Sequence, residues 1–163
     1  MTLKNHDSDQ LIETMTLLIL VNTQCLQCGV LSIDLMIDQV KEPFLKKGLL
    51  MIPDGYDAEY IKETLSTEVD TTDVYRNLVV EGIAMIASST WTNHLCISVM
   101  QEKFKTYLST EGQVRLDLMV KEVLKVWEEW VEIKGVNFPQ LSGWLVNFYD
   151  DIKQKLRVEN YDS

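Results

Sequence analysis

Apolar residues recur along this chain every three or four positions, the spacing that places side chains on one face of an α-helix. The stretches with this spacing are residues 8–29, 32–48, 57–65, 73–87, 91–108, 109–135 and 145–156. No segment shows a long alternation of apolar and polar residues, as a strand with one buried face would. The pattern therefore predicts an all-α, single-domain bundle of about seven helices.

Residues that commonly begin or end helices stand between these stretches. Asp57 and Ser109 are placed to cap the starts of helices. Gly29 and Gly48 are predicted to end helices, and Pro43 to kink or restart the second one. The step at 88–90, Ser-Ser-Thr, is predicted to separate two helices.

The core is expected where apolar residues cover the largest part of a helix surface. Residues 78–87 are apolar on nearly every side of the helix, apart from Glu81, and a helix of that kind is buried all round. Gly82 within it indicates a close approach of another backbone or a break. The short helix after Asp57 contains Tyr60, Ile61 and Leu65, and Trp127 lies on the apolar stripe of the longest helix.

Composition narrows the classes of partner. The chain has 163 residues, 46% of them hydrophobic, and a formal net charge of −10. Such a charge disfavours binding to nucleic acid or to an anionic membrane surface. It suits a basic partner, although solubility alone explains an acidic surface. One domain spanning residues 1–163 is predicted, with flexible ends at 1–7 and 158–163.

The ends of the chain and its cysteines bear on where the protein works. The first residues are polar and lack the basic flank of a signal peptide, and no apolar run reaches the length of a membrane span. Three cysteines do not make a disulfide framework and fit a reducing compartment. A cytoplasmic protein is expected, with peripheral attachment to mitochondria and homodimer formation left open.

No set of residues in the sequence predicts catalysis, a metal site or a cofactor. Cys25 and Cys28 form a CxxC pair, but a zinc site needs a second pair of ligands and a thioredoxin-like site needs a βαβ unit. His6 and His94 are the two histidines, and the motifs of nucleotide-binding loops and zinc proteases are absent. A protein without enzymatic activity is predicted.

Three places in the sequence carry a resemblance to the Bcl-2 family of apoptosis regulators. Residues 30–47 resemble that family's second helix. Trp91 falls where the family has an Asn-Trp-Gly-Arg signature, and Gly143-Trp144 followed by Phe148 resembles its later Gly-Trp motif. The resemblance implies helices wrapped around a buried apolar hairpin, with a hydrophobic groove on one side.

In that family the groove binds the amphipathic death-motif helix (the third Bcl-2 homology motif) of pro-apoptotic proteins. Carried over to this sequence, the resemblance places the groove at Met36, Val40, Phe44, Tyr75, Val79, Asn93, Cys96 and Met100. Asn93 stands where the family has an arginine that pairs with the ligand's aspartate, so the charge-assisted bond is absent here.

The function implied by the resemblance is inhibition of apoptosis by sequestering a death-motif helix, as divergent viral members of that family do. Two alternatives belong to other classes. One is a helical adaptor of the same fold that intercepts a host signalling protein through another face. The other is a metal or redox protein that depends on Cys25 and Cys28.

Overall fold

The computed structural model describes residues 5–38, 40–92 and 97–134, together with residue 154. Within these ranges the chain forms seven α-helices and a short 3-10 turn at Val30–Ile33, and no strand. The helices are α1 (Asn5–Cys28), α2 (Asp34–Asp38), α3 (Pro43–Leu50), α4 (Ala58–Ser66), α5 (Val74–Thr92), α6 (Ile97–Lys105) and α7 (Thr110–Lys134). The prediction of an all-α bundle is confirmed. The helix predicted at 145–156 lies outside the described residues, apart from residue 154.

Helix α1 lies at the centre of the bundle. It contacts α5, α6, α7 and the 3-10 turn, and from Leu11 to Cys25 every side chain except Glu13 is buried. Helix α5 packs against α1 and is almost as completely enclosed. Its residues 78–80, 82–84, 86 and 87 are buried, which confirms the expectation for an all-apolar helix. The helix that follows Trp91, α6, instead keeps an exposed face at residues 98, 99, 102 and 103.

Local capping explains where most helices begin. The Asp57 carboxylate accepts a hydrogen bond from the backbone N–H of Tyr60 at 2.8 Å, and the Ser109 hydroxyl accepts one from Gly112 at 3.2 Å. Pro43 occupies the first turn of α3, so the chain restarts there. Gly29 follows α1 with a φ of 88°, a conformation that glycine adopts without strain. These predicted boundaries are confirmed.

Two predicted boundaries are wrong, because packing overrides a local signal in each. Gly48 lies inside α3 and is buried, since that position faces Ile83 of α5. The step at 88–90 continues α5 to Thr92. The Ser89 hydroxyl lies 2.5 Å from the amide oxygen of Asn22, to which it donates, and 3.1 Å from the carbonyl of Ile86, so a serine is accommodated within the helix.

The packing of α1 on α5 depends on the absence of a side chain at Gly82. A Cβ atom there would lie 2.6 Å from Leu18 Cδ1 and 3.2 Å from Phe104 Cζ. Of the two alternatives that the sequence left for Gly82, a break is excluded because α5 continues through it, and the space beside it is filled by side chains of α1 and α6. Leu18 and Phe104 are themselves fully buried, so neither could move away without disturbing α1 or α6.

The contact between Gly48 and Ile83 gives a first prediction. In Gly48→Ala the new methyl group would overlap Ile83 Cδ1. Ile83→Val removes that carbon atom and by itself should cost about 0.5–1.5 kcal/mol. In the Gly48→Ala background the same change should cost about 1 kcal/mol less, because it relieves the overlap. Chemical denaturation of the four proteins measures this coupling, and strictly additive losses would contradict the packing described for α3 and α5.

Candidate protein-interaction surface

The side chains predicted to line a ligand groove are enclosed in the described structure. Five of them are less than a tenth exposed and belong to one hydrophobic cluster, namely Met36, Val40, Phe44, Val79 and Met100. Tyr75 is half-buried and packs against the same cluster. A ligand helix would reach these residues only if α2 and α3 moved away from α5.

Polar contacts close the rim of this layer. The Glu42 carboxylate caps α3 by accepting from the backbone N–H of Leu45 at 2.6 Å, and it also accepts from the Tyr75 hydroxyl at 3.4 Å. Burial, with a smaller contribution from Glu42, raises the pKa of Tyr75 to about 12. The guanidinium of Arg76 lies over the Phe44 ring, 4.9 Å from its centroid. The edge of α3 is therefore tied to α5.

Several residues singled out by the resemblance lie outside the described residues. These are Asn93, Cys96, Gly143, Trp144 and Phe148. Trp91 belongs to the last turn of α5. The place of an aspartate-binding residue and of the Gly-Trp motif thus stays a prediction from the sequence.

Cys25 and Cys28 are both free thiols in the last turn of α1. Burial raises the pKa of Cys25 to about 12, with a smaller contribution from Cys28. Burial also raises the pKa of Cys28, against a weaker opposing effect of a hydrogen bond with Gln24. Because the thiolate is the form that attacks disulfides and binds metals, this environment disfavours both reactions. Among the described residues no group of three or more metal-ligating side chains comes together.

A buried polar layer on α1 was not predicted from the sequence. The Asn22 amide oxygen accepts from the Ser89 hydroxyl at 2.5 Å, and the Gln24 amide oxygen accepts from the indole N–H of Trp127 at 2.9 Å. The amide nitrogen of Asn22 is buried without a hydrogen-bond partner in the described part of the chain, and that of Gln24 has only the weak sulfur acceptor of Cys28 nearby. The sequence does hold a signal for this layer, namely the two amide residues Asn22 and Gln24 within an otherwise largely apolar helix. It joins α1 to α5 and α7.

Exposed large hydrophobic side chains are spread over the described surface, at Leu31, Leu50, Val74, Val99, Val114 and Leu118 as well as at two tyrosines near the start of α4. Tyr56 and Tyr60 stack with ring centroids 4.8 Å apart and an angle of 16° between the planes. Their exposed fractions are 43% and 47%. Ile61, the next residue of α4, takes the inward position and is fully buried.

The tyrosine pair stands on a rigid base. Met51 and Ile52 are buried beneath the turn, and the backbone N–H of Tyr56 donates to the Met51 carbonyl at 3.3 Å. The other side of α4 is anchored by Ile61 and Leu65, which are fully buried. The backbone that carries the two rings is thus fixed by buried neighbours and by a hydrogen bond within the turn.

Charge around the tyrosine pair is strongly negative. Residues 54–73 hold seven acidic side chains and one basic one, and two of the seven, Glu68 and Asp73, are paired with Lys47 and Arg76 from outside this range. Asp54, Glu59 and Glu63 are exposed and form no ion pair with any described residue. Glu59 and Glu63 are four residues apart on α4, where like charges destabilise a helix by about 0.2–0.5 kcal/mol. We call the exposed side chains of Asp54, Tyr56, Glu59, Tyr60 and Glu63 the acidic tyrosine face.

One helix within the described ranges is long and apolar enough to cross a membrane by length and composition alone. It is the stretch Ser8–Cys28 of α1, and 78% of its most apolar window is buried inside the fold. Enclosure by α5, α6 and α7 accounts for this apolarity, because a core helix needs apolar residues on every side.

Comparison with known proteins gives one short similarity. The chain is 46% identical over 41 residues to "Uncharacterized protein YtxD" of Bacillus subtilis (strain 168). The match covers 25% of this chain and 15% of the length of that relative. No family profile matches the chain, and no solved structure matches it. The similarity therefore does not decide between the functions considered above.

The environment of the two thiols gives a second prediction. In the folded protein Cys25 should resist alkylation by iodoacetamide at mildly alkaline pH, and it should react once the protein is denatured. Its pKa is raised from 9.0 to about 12, so its contribution to stability is complete below pH 9 and is lost as the pH rises toward 12. Cys25→Ala should accordingly flatten the alkaline fall in the free energy of unfolding. Rapid alkylation of native Cys25, or stoichiometric zinc binding, would support the metal or redox alternative.

The contact between Trp127 and Gln24 gives a third prediction. Trp127→Phe keeps an aromatic ring and removes the indole N–H, leaving the buried amide of Gln24 without its donor, at a cost of about 1–3 kcal/mol. Gln24→Met should recover part of this loss, because no unpaired polar group then remains. Chemical denaturation of the single and double variants measures the effect. A double variant less stable than Trp127→Phe alone would contradict the described pairing.

Proposed function

We propose that this protein is a helical adaptor that binds another protein through the acidic tyrosine face. The observation that carries the proposal is the stacked, half-exposed pair of Tyr56 and Tyr60 on a rigid turn. Tyrosine is enriched in protein interfaces, where it supplies a large contact area at a small cost in side-chain entropy. This is the adaptor alternative of the sequence analysis, with its face now specified.

The acidic tyrosine face contributes little to the stability of the fold, which supports a role in binding. The carboxylates of Glu59 and Glu63 form no ion pair with any described residue, and the tyrosine rings bury only part of their area. Neither feature is needed for the core, which α4 joins through Ile61 and Leu65. A partner that covers the rings and neutralises the charges would gain from both.

A second function follows from the resemblance to apoptosis regulators, namely the binding of a death-motif helix between α3 and α5. The observation that favours it is that α3, which carries Phe44, contacts α5, which carries Val79, and also contacts α2, which carries Met36. Binding would require α3 to open, with loss of the Glu42–Tyr75 and Arg76–Phe44 contacts. Glu42→Gln should therefore strengthen binding of death-motif peptides under this hypothesis, and it should leave binding at the acidic tyrosine face unchanged.

Photo-crosslinking tests the adaptor function and is the fourth prediction. Tyr60 is replaced by p-benzoylphenylalanine, and in a matched control Leu118 on α7 is replaced in the same way, since its exposed fraction of 51% is similar. In cells that naturally produce the protein, position 60 should give a discrete adduct with another protein and position 118 should not.

A second substitution makes this experiment specific. Tyr56→Leu in the position-60 protein should abolish the adduct, because it removes the neighbouring ring, while the melting temperature should stay within a few degrees of the parent. Equal adducts from positions 60 and 118, or none from position 60, would refute the proposal.

A further inference from the structure

We infer that the acidic tyrosine face takes a basic segment of the partner in which arginine, in preference to lysine, makes the central contact. This inference rests on the proposed adaptor function and specifies the chemistry of the partner. The acidic tyrosine face combines two exposed, stacked aromatic rings with neighbouring carboxylates that form no ion pair with any described residue. The occupant must therefore carry both a flat cationic group and further positive charge.

The tyrosine stack leaves an outer ring face available to a flat cation. Two rings 4.8 Å apart with nearly parallel planes cover each other on one side only, and both residues remain more than 40% exposed. A guanidinium group is planar and stacks on an aromatic face, whereas the ammonium group of lysine is a compact, strongly hydrated charge. The same chain places the guanidinium of Arg76 over Phe44 in this manner.

Carboxylates lie within reach of a cation that stacks on Tyr60. Glu63 is three residues further along α4, and helical residues at that spacing are neighbours on the surface. Glu59 is four residues before Glu63, on the same exposed side of α4. An arginine over the ring can donate two parallel N–H bonds to a carboxylate, a geometry that lysine cannot match.

Charge complementarity selects a basic segment over other occupants. Because the face presents the exposed carboxylates of Asp54, Glu59 and Glu63, an acidic or phosphorylated segment would be repelled. A second copy of this chain would bring the same negative face and meet the same repulsion. A neutral apolar helix would leave Asp54, Glu59 and Glu63 unpaired at the interface, which costs affinity.

Titration with designed peptides tests the inference and is the fifth prediction. The probes are three short capped peptides of equal length, in which the residue at every third or fourth position is arginine, lysine or citrulline. The arginine peptide should bind about two- to fivefold more tightly than the lysine peptide, because only arginine can stack and chelate. The citrulline peptide, which is flat but neutral, should bind more weakly than both.

Variants of the face separate its two contributions. Tyr56→Leu/Tyr60→Leu should weaken the arginine peptide about three- to tenfold and bring it close to the lysine peptide. Tyr56→Phe/Tyr60→Phe should bind like the parent, since the rings remain. Glu59→Gln/Glu63→Gln should weaken both cationic peptides about two- to fivefold and reduce the dependence on salt. Glu128→Gln/Glu129→Gln, an equal change of charge on the exposed side of α7, is the control and should have little effect.

The outcomes distinguish this inference from the adaptor function itself. A crosslinked partner at position 60 together with equal binding of the arginine and lysine peptides would refute the preference for arginine and leave the adaptor function standing. Peptide binding that is equally sensitive to the control pair on α7 would show that net charge alone is responsible, and would also refute the inference. Loss of both the crosslink and the peptide binding would remove both proposals.

Discussion

The close approach of α1 and α5 is the constraint on which the rest of the bundle depends. Gly82 brings the two helices so near that a single added carbon would collide with Leu18. With α1 enclosed on all sides, α6 and α7 have to complete the shell around it, and Phe104 of α6 fills the space beside the same glycine. Since apolar burial drives folding, a central helix apolar on every side is what a bundle of this size requires.

The buried polar layer modifies this picture, because it lies on the central helix. Asn22 and Gln24 are paired through one amide atom each, to Ser89 and Trp127. Hydrogen bonds of this kind add little net stability but favour one arrangement of neighbours, since any shift leaves a buried polar atom unpaired. They therefore set the positions of α5 and α7 relative to α1 more sharply than aliphatic contacts alone would.

Most helix boundaries were predictable from the sequence, because they depend on residues close together in the chain. Asp57, Ser109, Pro43 and Gly29 act on backbone groups only a few positions away. Gly48 was misjudged because its role depends on Ile83, which lies 35 positions further along and on another helix. Signals for caps are local, whereas a requirement for a small residue arises from packing between distant segments.

The functional surface was harder to predict, for a physical reason. The sequence of an apolar helix face is the same whether that face lines an open groove or lies in a closed core. The apolar face with Met36, Val40 and Phe44 therefore could not be assigned to a groove or to the core from the sequence. The same ambiguity holds for Tyr60 and Ile61, which are adjacent on α4. Which neighbour of an adjacent pair turns inward is decided by the packing of α4 on α5, and Ile61 took that position.

Rigidity links the core of the bundle to the face proposed for binding. Leu65 of α4 lies near Gly48 of α3, where Ile83 of α5 also packs, so α4 is fixed at the junction of three helices. The turn before α4 is pinned by its own hydrogen bonds and by buried Met51. A surface ordered before binding loses little conformational entropy when a partner arrives, so even an interface of small area can bind usefully. The close packing that α1 and α5 impose on the bundle thus extends, through α3 and α4, to the position of two exposed rings.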